Sequence, residues 1–227
     1  MHCNLLFAGC SFTEGAELEG ISKDKEYRRT HRFSHLVSEK TGLTYANISK
    51  GGSSNETILR STVKWFEEGN TCDHAIIQWT NRHRIEYFSE KILVDYVKAP
   101  NYHNIQPRSK EIPKHLLESF VNMQNDSNDQ NNQDRCMYWM EQLLKDKCSF
   151  DYLKLRKEKE VSKEYYEIGT YYKHRPVTYI ADDILKNSGI FYCIPNAKYF
   201  WLTGRHPSKL GHQKIAEYII NNFDYFQ

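Results

Sequence analysis

Four short segments carry side chains that could do chemistry together. The first is Gly9-Cys10-Ser11-Phe12-Thr13-Glu14-Gly15. It follows the apolar run Cys3 to Ala8, and a tight turn at Gly9 would lift Ser11 above the end of that run. The Ser11 Oγ would then be free to attack, and its backbone N–H could donate to an oxyanion. The second segment, Asn47 to Asn55, holds the adjacent glycines Gly51 and Gly52 ahead of a helical pattern. Glycines there let backbone approach a ligand closely and leave helix N–H groups free, which suits an oxyanion or a phosphate. The third is Trp79-Thr80-Asn81-Arg82-His83-Arg84. Asn81 offers a side-chain amide as a further oxyanion donor, and Arg82 and Arg84 offer cations for an anionic substrate group. The fourth is Thr203-Gly204-Arg205-His206-Pro207-Ser208. Pro207 disfavours helix at the residue before it, so His206 lies on a loop and can reach Ser11 as a general base. His212 falls within the helix that follows and reads as structural. Each segment alone also has a bland reading: a cap serine, a strand-to-helix turn, a solvated basic loop. The case rests on their order.

The intervening pattern supplies elements that would position them. Cys3 to Ala8, Leu43 to Ile48, His74 to Trp79 and Ile190 to Ile194 are short apolar runs of strand length. Helical spacing appears from His31 to Lys40, where Gly42 is a stop, and again through Ile58, Thr62, Trp65 and Phe66, ending at Gly69. Ser53 and Glu56 have the spacing of a capping box for this second helix. Further helices are expected near Val177 to Lys186 and from Ser208 to Phe223. Residues 16–30 read as a polar loop, Asn122 to Gln133 as a mobile polar loop, and Met137 to Leu155 as helix. The alternation of strands and helices predicts a single α/β domain over residues 1–227, with parallel strands, helices on both faces and a ligand crevice beyond the strands' carboxyl ends. Residues 91–175 read as a partly helical insertion or lid within it.

Composition narrows the function classes. Lys plus Arg number 31 and Asp plus Glu 29, so the net charge of +2 makes no field that would argue for nucleic acid. No stretch approaches the ~20 apolar residues of a membrane span. The amino-terminal MHCNLLFAGCSF lacks the features of a signal peptide. The six cysteines form no C-x-x-C pair, so they read as free thiols in a reducing cytoplasm and not as a zinc site. No Walker-type phosphate loop is present. The sequence leaves a homo-oligomer open.

Taken in order, GCSFTEG, NISKGGSSN, WTNR and RHPSKLGH resemble the four blocks of the SGNH (GDSL-like) hydrolase family. The form of the blocks is also similar to SGNH-like proteins of tailed bacteriophages. The resemblance implies a three-layer α/β/α sandwich on a parallel, flavodoxin-like sheet. It implies Ser11 as nucleophile, His206 as base, Asn81 as oxyanion donor, and Gly52, with Gly51 as the alternative, as the oxyanion glycine. It further implies an esterase or deacetylase that needs no metal or organic cofactor and acts on a small acyl ester such as an O-acetylated carbohydrate. Two positions depart from the pattern. Cys10 stands where the first block usually has Asp, and Thr203 and Gly204 stand where the last block usually has the Asp that orients the histidine. A backbone carbonyl or a carboxylate from elsewhere would then have to hold His206. A catalytically weakened binding protein and an O-acyltransferase using the same site are the alternatives, and a phosphate- or nucleotide-binding protein is a third.

Overall fold

The alternation of side chains along β1 (His2–Ala8) dictates the layers. Leu5 and Phe7 face one way, Leu6 and Ala8 the other, and all four are buried. A strand apolar on both faces must be covered on both, which requires a sandwich. The computed structural model describes residues 1–18, 24–82, 84–88, 93–98, 105–107, 126–154, 178–179 and 206–227. The further strands are β2 (Tyr45–Asn47), β3 (Thr71–Trp79), β4 (Arg84–Phe88), β5 (Leu93–Lys98), β6 (Ile105–Pro107), β7 (Ser149–Lys154) and β8 (Thr178–Tyr179). The helices are α1 (Ser11–Glu14), α2 (Lys25–His31), α3 (Phe33–Thr41), α4 (Asn55–Glu67), α5 (Asp126–Leu144) and α6 (Lys209–Asn222).

The main sheet is parallel, with strand order β2-β1-β3-β7-β8. This is the flavodoxin-like order, in which the chain reverses direction across the sheet between β1 and β3. One face packs Leu6, Ala8, Ala75, Ile77 and Tyr152 against Ile58 and Trp65 of α4 and Met137, Met140 and Leu144 of α5. The other packs Leu5, Phe7, Ile76 and Leu153 against Phe33 and Val37 of α3 and Ile215, Ala216 and Ile219 of α6. Burial of each large apolar side chain contributes roughly 1.5–3 kcal/mol. The three-layer architecture expected from the sequence is the one observed.

Several elements differ from the sequence reading, each for a physical reason. Residues 25–31 form α2 and not a loop. Asp24 caps it, accepting from the Glu26 and Tyr27 N–H groups at 2.9 and 3.1 Å, and because it buries no residue it has no apolar stripe to read. The cap of α4 is Ser54, which accepts from Thr57 N–H at 3.2 Å; Ser53 Oγ donates instead to the Lys50 carbonyl at 2.8 Å, and the Glu56 carboxylate accepts from Asn132. The polar run expected to be a loop opens α5. Its Asp129, Gln133 and Asp134 are buried, with Gln133 Oε1 accepting from the buried Lys154 ammonium at 2.6 Å. A helix whose inward face is polar carries no hydrophobic signature. Ser149–Lys154 does not continue a helix but pairs with β3 in the main sheet. Residues 126–154 are therefore part of the sandwich, and the insertion is narrower than 91–175. Its described strands, β4-β5-β6, form a separate antiparallel sheet that begins at Arg84. The helix expected from Val177 instead begins on β8; the rest of that helix and the strand expected at Ile190 to Ile194 lie outside the described residues.

Helix α6 is fixed to α3 through His212. This imidazole is fully buried, stacks on the Phe33 ring and accepts the Phe33 N–H at Nδ1 over 3.1 Å. Burial, with a smaller contribution from nearby His206 and Arg32, lowers its pKa from 6.5 to about 3. Between those two values the unfolded chain binds a proton that the folded chain refuses, so stability falls as pH drops through this window. The expected result is a melting temperature that declines from pH 7 to pH 4, with a shallower slope in a His212→Asn variant. Equal slopes would remove His212 as a contributor.

Candidate active site

The segments singled out by residue type converge at the carboxyl end of the parallel sheet, and the hydrogen bonds that bring them there can be followed one at a time. Gly9 ends β1 with no room for a side chain. A Cβ there would stand 2.4 Å from Thr13 Oγ1 and 2.9 Å from Gln78 Oε1. Gln78, buried in β3, is the hub of this turn. Its Oε1 accepts from the Cys10 N–H at 3.2 Å, from Thr13 Oγ1 at 3.1 Å and from Cys10 Sγ at 3.2 Å. Cys10 is thus a buried element of the turn and stands beside Ser11, the first residue of α1.

The second segment is tied to the first by backbone. Ile48 N–H donates to Phe7 O at 2.9 Å and Lys50 N–H to Gly9 O at 3.2 Å. Asn47 Nδ2 donates to Thr13 O at 3.0 Å and to Ser34 Oγ at 2.7 Å. The loop then turns through Gly52, whose φ of 81° is one that glycine adopts without steric cost. Gly51 lies against the serine loop: a Cβ on it would lie 3.9 Å from Ser11 Cβ and 2.7 Å from Glu14 Oε2. The Glu14 carboxylate is paired with Arg28 at 3.1 Å.

The third segment follows β3. Asn55, buried at the start of α4, accepts the Thr80 N–H at 3.0 Å and so fastens the end of β3 to the second segment. Asn81 comes next and is exposed, its carbonyl accepting the Arg84 N–H at 3.0 Å. The two arginines are not presented as a free cationic pair. Arg82 is buried and donates to Gln130 of α5 at 3.2 Å, and Arg84 reaches the Ser53 carbonyl at 3.5 Å. Through these contacts they brace α5 and the glycine loop.

His206 arrives from the far end of the chain, ahead of α6, whose cap Ser208 accepts from Gly211 N–H at 3.2 Å. Its Nε2 lies 2.9 Å from Ser11 Oγ, across 195 residues of sequence. The Phe12 ring meets the imidazole edge-on at 5.3 Å. On the other side of the ring, Nδ1 stands 3.2 Å from Glu17 Oε2. Thr203 and Gly204, where an orienting Asp was expected, lie outside the described residues.

Two of these residues were not singled out in the sequence. Gln78 had a signal: it is the polar member of the apolar run HAIIQW. Glu17 had a weaker one, an acid just downstream of the serine block in a chain whose last block lacks its own. Among the described residues no group of three or more His, Cys, Asp or Glu is arranged to hold a metal ion, and no helix is long and apolar enough to cross a membrane.

No family model and no curated protein matches the sequence. Solved structures do match the fold. A member of the lipolytic protein G-D-S-L family from Veillonella parvula superposes with a TM-score of 0.53 at 9% identity, covering 98% of each chain. An acetyl xylan esterase (Est2A) from the rumen bacterium Butyrivibrio proteoclasticus superposes with a TM-score of 0.52 at 12% identity, over 96% of this chain and 63% of the esterase. This chain thus spans less than two thirds of that enzyme's length. The likeness is one of architecture: the chain has the α/β fold of the SGNH (GDSL-like) hydrolases.

Proposed function

We propose that this chain is a serine-dependent ester hydrolase. The observation that carries the reading is the 2.9 Å contact between Ser11 Oγ and His206 Nε2, formed at the sheet end where α/β proteins bind ligands. A serine hydroxyl is a poor nucleophile until a base within hydrogen-bonding reach takes its proton. In the proposed reaction His206 Nε2 receives the Oγ proton as Oγ bonds to the ester carbonyl carbon. The carbonyl oxygen becomes an oxyanion, accepting from the Ser11 N–H, a glycine N–H at Gly51 or Gly52, and the Asn81 side-chain amide. Each such donor contributes roughly 3–4 kcal/mol to the transition state. The protonated histidine then gives its proton to the leaving alkoxide. Water attacks the acyl-serine with the same imidazole as base, releasing the acid and restoring the hydroxyl.

The substrate class we propose is a small acyl ester, with an O-acetylated carbohydrate as the leading case. Its support is the shared fold with an acetyl xylan esterase. The first experiment is active-site labelling. A fluorophosphonate probe is expected to add once per chain, on the peptide that holds Ser11, and acetate release from acetylated xylan should stop on labelling. A chain that takes up no probe and releases no acetate would instead be a binding protein on a hydrolase fold. Acyl transfer to a sugar acceptor, read by product analysis, would make it an acyltransferase.

A further inference from the structure

The carboxylate beside the histidine comes from an unexpected place, and its backbone is unusual. Glu17 lies just downstream of Ser11, not ahead of His206, and its Oε2 is 3.2 Å from the imidazole nitrogen opposite the one that meets the serine. Among the described residues, Glu17 is the one other than glycine with a positive φ, 69°. A residue with a Cβ disfavours this region, and such outliers persist where the surroundings over-determine them. The surroundings here are visible. Ala16 and Gly15 both donate backbone N–H groups to Ser11 O, at 2.9 and 3.1 Å, and Leu18 N–H donates back to Gly15 O at 3.3 Å. Gly15 itself has a φ of 81° and closes α1. Leu18 is buried, so the turn is pinned on both sides of Glu17.

We infer that Glu17 is the positioning residue of this site, replacing the missing acid of the last block with one carried on the nucleophile's own loop. The inference rests on the Ser11–His206 reading above. A carboxylate at Nδ1 selects the tautomer with its proton on that nitrogen, which leaves the Nε2 lone pair for the serine, and it stabilises the imidazolium formed on attack. The 3.2 Å approach is off the line of an Nδ1–H bond, as is common in resting sites that tighten around substrate. Among the described residues, the other groups facing His206 do not compete for this role. Ser11 meets Nε2, Phe12 is uncharged, and His212 is held neutral by burial. Arg32 acts on His212, and Glu14 is paired with Arg28.

Three substitutions separate positioning from structure. Glu17→Gln and Glu17→Gly are expected to lower kcat on p-nitrophenyl acetate by about 10- to 100-fold, less than a buried triad aspartate because the carboxylate is part-exposed. KM should stay within about twofold, since the group never touches substrate. The acidic limb of the kcat/KM profile should move to lower pH, because the imidazolium loses its counter-charge. Glu17→Gly should raise the melting temperature while it loses activity, since glycine accepts the positive φ. Glu17→Asp, which keeps the charge and tolerates this backbone, should hold the acidic limb near its wild-type position. Unchanged kcat and an unmoved acidic limb in Glu17→Gln, beside an inactive Ser11→Ala protein, would overturn this inference alone. Full activity in Ser11→Ala would overturn the hydrolase reading beneath it.

Discussion

Replacing His206 with alanine is expected to lower kcat for p-nitrophenyl acetate by about 10²- to 10⁴-fold with little change in KM. The imidazole lies within hydrogen-bonding reach of Ser11 Oγ, and the proposed mechanism needs it twice, as acceptor in acylation and as donor to the leaving group. Ser11→Ala should fall to a similar floor. The sharper expectation concerns the double variant. Residues that act as one unit are not additive, so Ser11→Ala combined with His206→Ala should be no worse than either alone. Measured by steady-state kinetics on purified proteins, multiplicative losses would mean that serine and histidine contribute separately. A His206→Ala protein within a few-fold of wild type would remove it as the base.

The second large effect is expected at Gly9, a residue that touches no substrate. A methyl group there would stand 2.4 Å from Thr13 Oγ1 and 3.0 Å from Gln78 Cβ, both buried and both held in the same hydrogen-bond cluster. Neither can swing away without breaking bonds to the turn that carries Ser11. Overpacking of this kind costs about 1–3 kcal/mol. For a chain of this size that is a fall of roughly 2–12 °C in melting temperature. Catalysis should suffer more than stability, because displacing a nucleophile by about 1 Å can cost ~10²-fold. Gly9→Ala is therefore expected to remain folded by circular dichroism, melt lower and lose most of its esterase activity. Wild-type kinetics in this variant would show that the turn does not set the serine's position.

Sequence reasoning succeeded where burial imposes a period. β1 and β3 are apolar on both faces, and α3, α4 and α6 each bury a stripe, so their positions could be read from residue spacing. It failed where burial is polar or absent. The inward face of α5 meets the charged Lys154 through Gln133, and α2 buries nothing. Neither produces a hydrophobic rhythm. The site divides the same way. Ser11 and His206 were legible because a glycine turn and a proline mark their loops. Gln78 acts through three bonds to one oxygen, which a single polar letter in an apolar strand only hints at. Glu17 is brought to His206 by a backbone angle, and no residue pattern encodes a glutamate at positive φ.

The 195-residue separation between Ser11 and His206 has a consequence for the timing of activity during synthesis. The serine turn, its Gln78 clamp and Glu17 are all translated within the first strands of the sheet, while the base arrives with α6. At ribosomal rates of ~5–20 residues per second, about 10–40 s pass between the two. Through that interval the nascent chain carries Ser11 without its proposed base. The Phe33–His212 hydrogen bond then ties α6, and the loop ahead of it, to α3. Under the proposed mechanism, a chain assembled in this order would be silent on the ribosome and competent only when its sandwich is closed.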